Sequence, residues 1–309
     1  MNSLRLILIL LLASSLLAQT EAQRPRILGV AHVALYTSDL AKARIFYEDF
    51  LGFQEPFTLK RDDGSIRIAF FKVNDEQYVE LFTDPAKEDG QLNHVAIYTD
   101  NAQQMRDYLA AHGIKVPATV PKGKTGNYNF TIQDPDGHKL EIVQYLSDSR
   151  TGKNQGKFVP ATRISNRILH AGFLVRDLDA SLKFYRDLLG FQEFWRGSSN
   201  GIQLSWVNMR VPDGEDYVEF MLYTGTPSAQ DRGVKNHLSL EVPDIGKAVQ
   251  DLEQRPARKL YTREIKTQVG KNRKRQANLF DPDGTRVELM EPKTVDGQPA
   301  PSSTAPPPK

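Results

Sequence analysis

Cysteine is absent from the chain. That removes disulfides, zinc–thiolate sites, iron–sulfur clusters and cysteine nucleophiles together. A large excess of one charge is also missing: 40 Lys and Arg stand against 38 Asp and Glu. Nothing global therefore points to nucleic acid or to anionic lipid as a partner. Long apolar runs are missing apart from Leu6 to Leu17 near the start, which Ala13, Ser14 and Ser15 interrupt. That run is short for a membrane span. With Arg5 before it and Thr20-Glu21-Ala22 after it, residues 1–22 read as a signal peptide cut after Ala22, with Ala18 as the other site. The alternative is an uncleaved anchor. Without a cysteine at the cut, lipid attachment is excluded. The expectation is a secreted or periplasmic protein with no stable membrane insertion after cleavage.

The 309 residues suit about two domains. A segment is repeated four times along them. Ala31-His32-Val33-Ala34-Leu35, Asn93-His94-Val95-Ala96-Ile97, Leu169-His170-Ala171-Gly172-Phe173 and Asn236-His237-Leu238-Ser239-Leu240 read as strands that open on a histidine. Each runs on to Asp39, Asp100, Asp177 or Asp244, which suits a helix N-cap. Ser38–Phe53 and Arg176–Phe191 are near copies with apolar residues at helical spacing, and Gly52 and Gly190 stand where the helix must turn out. Alternating runs follow each helix. Asp134-Pro135-Asp136-Gly137 and Asp281-Pro282-Asp283-Gly284 mark tight turns before the last strands of the second and fourth units.

The predicted fold class is α+β, with four βαβββ modules paired into two domains of cupped, largely antiparallel sheet. Residues 25–147 form the first domain, 148–165 a linker and 166–292 the second. Residues 293–309, rich in Pro, Ser and Ala, read as a disordered tail.

Four of the six histidines occupy one position in the repeat. Four glutamates do likewise in the closing strands: Glu80, Glu141, Glu219 and Glu288. Glu219 and Glu288 have apolar neighbours on both sides, a costly place for a carboxylate without a partner. Each half thus offers two imidazoles and two carboxylates in one order: His32, Glu80, His94, Glu141, then His170, Glu219, His237, Glu288. This donor set suits a divalent ion such as Zn, Ni, Co, Mn or Fe, one or two per chain. Lys122 to Gly126, and Lys271, Arg273, Lys274 and Arg275, are candidate anion-holding loops or solvated hairpins. Trp195, Trp206 and Tyr223 are candidates for the second cup or its core. His112 and His138 read as cap and turn residues.

Leu169 to Phe191, the YVEL and YVEF strands and the DPDG-x₃-E endings resemble the vicinal oxygen chelate superfamily of glyoxalase I, bleomycin-resistance proteins and extradiol dioxygenases. The likeness covers Ile27 to Glu291. It implies that the eight His and Glu residues are metal ligands at the floor of a cup. It leaves open whether modules pair within a half or across halves. The reaction it favours is glyoxalase-type isomerisation or lysis of a small oxygen-chelating substrate, with Glu80, Glu141, Glu219 and Glu288 as proton carriers. The alternatives are extradiol ring cleavage, using His170, His237 and Glu288, and non-enzymatic small-molecule binding.

Overall fold

The computed structural model describes residues 23–86 and 90–308. The expected signal peptide lies outside the described residues. The first half runs β1 (Ile27–Tyr36), α1 (Leu40–Arg44), β2 (Gln54–Lys60), β3 (Ile66–Lys72), β4 (Tyr78–Phe82), β5 (Leu92–Thr99), α2 (Ala102–Ala111), β6 (Tyr128–Gln133) and β7 (Lys139–Gln144). A short helix, α3 (Arg150–Lys153), lies inside the linker. The second half runs β8 (Ile168–Val175), α4 (Leu178–Leu182), β9 (Gln192–Gly197), β10 (Trp206–Arg210), β11 (Tyr217–Leu222), α5 (Ala229–Lys235), β12 (His237–Glu241), α6 (Ile245–Glu253), β13 (Thr267–Val269), β14 (Lys274–Phe280) and β15 (Arg286–Thr294).

Two sheets result, ordered β2-β3-β4-β1-β5-β7-β6 and β13-β14-β15-β12-β8-β11-β10-β9. Modules therefore pair within each half. Most neighbours are antiparallel. The parallel pairs are β1 with β4, β5 with β7, β8 with β11 and β12 with β15. These pairs carry the recurring His and Glu. The second module departs from the expected βαβββ order. It has no strand between α2 and β6, only a bridge from Lys122 to Tyr128. Pro117 and Pro121 lie in that stretch, and neither has an N–H to give to a ladder.

Asp39, Asp177 and Asp244 cap their helices as expected, each accepting from the third residue on. In the second module Asn101 takes that role in place of Asp100. Both α1 and α4 continue as one π-helical turn, Ile45–Phe50 and Lys183–Leu188. Gly52 and Gly190 follow with φ of +81° and +78°, which a side chain would strain.

The strands divide their residues by parity. Val33, Leu35, Val79, Leu81, Val95, Ile97, Leu140 and Ile142 enter one core, which continues through Val218, Phe220, Leu238, Leu240, Val287 and Leu289 of the other half. The two sheets thus share an apolar interior, and the halves are not independent. The first-module helix faces the fourth module: Tyr47 donates to Asp281 at 3.2 Å, and Phe50 stacks on Tyr261. The third-module helix faces the second, with Tyr185 donating to Asp134 at 3.1 Å. The DPDG turns hold the opposite half's helix starts, Asp283 accepting from Ser38 N–H and Asp136 from Arg176 N–H. Between the first and third modules, Gln77 makes a reciprocal pair with the backbone of Ile168 (2.8 and 3.0 Å).

The tail is not disordered as expected. Trp195 Nε1 donates to the Pro301 carbonyl, Ser303 N–H to Arg196 and Leu204 N–H to Pro306, while Ala305 joins the shared core. The chain end thereby covers the edge strand β9, whose free backbone groups need partners.

Burial lifts the Asp281 carboxyl to about 7, even though Thr285 N–H, Asp283 N–H and Tyr47 O–H all donate to it. Its counterpart Asp134 has His138 at 3.0 Å, where Asp281 has Thr285 instead. A carboxyl raised on folding takes up protons on folding, so its contribution is full below about pH 4 and is lost as pH rises towards 7. Asp281→Asn is expected to flatten the decline in unfolding free energy between pH 5 and 7.5, measured by urea titration at each pH. An unchanged slope would show that Asp281 is not the group responsible.

Candidate metal centres in two cups

On the other face of each sheet the alternate residues turn into a cup. Tyr78, Glu80 and Phe82 do so from β4, Glu141 and Val143 from β7. His32 Nε2 and His94 Nε2 are 2.9 Å apart. Glu141 Oε2 lies 3.0 Å from His94 Nε2 and 3.7 Å from His32 Nε2. Glu80 Oε1 stands 3.4 Å from His32 Nδ1. All four side chains are almost wholly buried or nearly so. The second cup repeats the plan. His170 Nε2 and His237 Nε2 are 3.0 Å apart, Glu288 Oε2 is 3.4 Å from His170 Nε2, and Glu219 Oε2 is 3.5 Å from His237 Nε2. In each cup the tightest group is a His-His-Glu trio, with its donor atoms within 4.8 Å of one another: His32, His94, Glu141 and His170, His237, Glu288. Glu80 and Glu219 stand beside the trios.

Neighbours fix the ligand rings. His94 Nδ1 lies 2.9 Å from Asn93 Oδ1, and His237 Nδ1 lies 2.8 Å from the Lys235 carbonyl. A proton on Nδ1 satisfies both contacts and leaves the Nε2 lone pair facing the cup, the form an ion needs. Asn129 donates to Glu141 Oε1 at 2.7 Å. The sequence carried a signal for the first of these in the Asn that precedes both His94 and His237. Asn129 left none that composition or spacing could find.

The charges are badly matched without a cation. Burial and the neighbouring Glu141 hold Glu80 well above the usual carboxylate range. Burial also pushes Glu141 up, but the bonds from His32 and His94 outweigh it and set it well below that range. Burial lowers His32. In the second cup burial and Glu288 raise Glu219 to about 8, burial raises Glu288, and burial together with Arg286 holds His170 and His237 far down. Glu288 Oε2 and His170 Nδ1 are buried with no hydrogen-bond partner. Buried carboxyls crowded against neutral imidazoles, with orphaned donor atoms, form a set that a divalent ion would satisfy. The donor types fit Zn²⁺ or another borderline first-row ion.

The first cup encloses a cavity of about 290 Å³ over its trio. Leu59, Ile68, Phe70 and Tyr78 form an apolar wall, and Lys124 and Thr125 of the candidate anion-holding loop stand at the rim. The Tyr78 hydroxyl is buried without a partner. Of the other singled-out residues, Trp206 and Trp195 stand on the Glu219 face of the second sheet, Asn208 being opposite both Glu219 and Trp195, and several of the rest lie elsewhere. Lys122 pairs with Asp148, Arg273 with Asp296 and Arg275 with Glu291. Trp195 and Trp206 stack at 6.4 Å, while Tyr223 lines a separate cavity between the halves. His112 ends α2, its Nδ1 2.8 Å from the Tyr108 carbonyl, and His138 sits against Asp134.

Known proteins are similar to this chain. Residues 29–142 and 167–289 each match the model of the Glyoxalase/Bleomycin resistance protein/Dioxygenase superfamily. A probable lactoylglutathione lyase of Vibrio parahaemolyticus is 30% identical over 124 residues, 37% of this chain and 89% of that protein. Glyoxalase I of Saccharomyces cerevisiae is 20% identical over 222 residues, 64% of this chain and 63% of its own. Homoprotocatechuate 2,3-dioxygenase of Brevibacterium fuscum superposes with a TM-score of 0.66 at 18% identity, over 91% of this chain and 76% of that one, a likeness of fold. Two matched segments, two sheets of two modules each and two His-His-Glu trios make this chain a member of the Glyoxalase/Bleomycin resistance protein/Dioxygenase superfamily.

Proposed function

We propose that the protein is a divalent-metal-dependent enzyme that moves a proton on a small oxygen-chelating substrate, with isomerase or lyase chemistry in the N-terminal cup. The observation that carries this reading is the convergence of His32, His94 and Glu141 beneath a cavity with Glu80 at its side. A bound ion would supply Lewis acidity towards two neighbouring substrate oxygens. His32, His94 and Glu141 would hold it.

Glu80 is the residue suited to the proton. Its carboxyl is raised by burial and by Glu141, which makes its carboxylate a stronger base towards a substrate proton. The Tyr78 O–H would donate to a substrate oxygen, and the wall of Leu59, Ile68 and Phe70 would keep bulk water from the reacting carbon. A cavity of this size limits the substrate to a small molecule. The apolar leader in the sequence fits work in the periplasm or outside the cell, where a glutathione adduct is a poor candidate substrate. Ring cleavage would call for a further acid–base group. The remaining histidines, His112 and His138, are engaged at Tyr108 and Asp134 and belong to neither trio. Pure binding would leave the buried trios without a role.

His94→Ala is expected to remove the metal from the N-terminal cup and abolish turnover, read by elemental analysis and by an assay over a panel of hydroxycarbonyl and dicarbonyl compounds. Metal retained at the wild-type level would contradict the ligand assignment. Glu80→Gln is expected to keep most of the metal yet lower kcat by about 10²–10⁴. An unchanged kcat would remove Glu80 from the proton path. Asn129→Ala is expected to weaken metal binding about 10–100-fold by freeing the Glu141 carboxylate, measured by calorimetric titration.

A further inference from the structure

The two cups share their donors but not their cations. In the C-terminal cup Arg286 Nη2 lies 2.7 Å from His237 Nε2. That nitrogen carries the lone pair an ion would need, because Nδ1 is spent on the Lys235 carbonyl. A guanidinium has five N–H donors and no acceptor, so this contact can only be donation from Arg286 to the imidazole. Arg286 stands two residues before Glu288 on β15, and alternation along a strand puts both on the cup face. Its Nε is buried without a partner, so the contact with His237 is what the group has found. Lys274 on the neighbouring strand β14 also lies in the field of Glu219 and Glu288.

Among the described residues the N-terminal cup has no cation hydrogen-bonded to a ligand imidazole. Lys139 is two residues before Glu141, but it is exposed and lines the cavity between the halves. The groups close to His94 Nε2 are His32 Nε2 and Glu141 Oε2, a ligand ring and a carboxylate. A divalent ion entering there passes Lys124 and Arg67 on the cavity lining, Arg67 being paired with Asp84, but it displaces no cation bound to a ligand ring. An ion entering the second cup must break the Arg286–His237 bond and then sit within a few ångströms of a guanidinium that does not lose its proton.

We infer that Arg286 is the resident cation of the C-terminal cup and makes the two centres unequal, the N-terminal one taking a divalent ion tightly and the C-terminal one resisting it. This rests on the metal reading above, and its test separates the two. Mature full-length protein, stripped with chelator, is titrated with Co²⁺, following visible absorption and elemental content. Wild type is expected to bind one tight equivalent, lost in His94→Ala and kept in His237→Ala. Arg286→Gln is expected to gain a second, with affinity raised at least about tenfold at the C-terminal cup, and to lose it again when combined with His237→Ala.

Two equivalents of similar affinity in wild type overturn the inference without any variant. So does a single equivalent lost in His237→Ala instead of His94→Ala, or no gain in an Arg286→Gln chain that melts as wild type does. A wild type that binds no Co²⁺, beside an Arg286→Gln chain that binds one ion at His237, would keep the role of Arg286 in the C-terminal cup and overturn the metal reading of the N-terminal cup.

Discussion

Two carboxyls and two imidazoles buried on one sheet face cannot balance themselves, and the rest of the structure is built to hold them there. Moving an ionised group out of water is opposed by several kcal/mol unless a partner offsets it. In the N-terminal cup the offset is incomplete. Glu141 gains from its two imidazoles, whereas Glu80 is left desolvated beside it. A fold that retains such a group in both halves has a use for positive charge at that point. Apolar residues in the same places would serve stability better.

The strand pairing explains how the ligands meet. Each parallel pair sets a histidine strand beside a glutamate strand, and the antiparallel pairs β1–β5 and β8–β12 set the two histidines diagonally across from each other, their rings meeting edge-on. The opposite parity of the same strands builds the shared core. Ligand geometry and stability are therefore two faces of one register, and a slip by one residue would lose both. The exchange of helices between the halves adds rigidity from outside. Tyr47 on Asp281 and Tyr185 on Asp134 tie each half to the turn that precedes the other half's last strand. That strand carries Glu288 or Glu141.

Much of this was legible in the chain itself, because the informative residues recur. A fourfold His and a fourfold Glu located the cups, and the paired Gly52 and Gly190 located the helix ends. What escaped depended on contacts distant in sequence. Strands β2 and β9 carry weak alternation and are fixed by their neighbours β3 and β10. The Pro-rich tail reads as disorder by composition, yet the edge of β9 offers it backbone partners that composition does not encode. Arg286 carries no signal in composition or spacing, and its meaning comes only from the 2.7 Å to His237. The sequence leaves open how the modules pair, and the strand order answers it: modules pair within each half while the apolar core runs through both.

The most direct test of the account is X-ray absorption on the protein loaded with one equivalent of Co²⁺ or Zn²⁺. The account predicts a nitrogen and oxygen shell at about 2.0–2.2 Å with the outer-shell scattering of two imidazoles. A shell of oxygen alone, without imidazole scattering, would mean that the histidines do not meet on an ion and would contradict it.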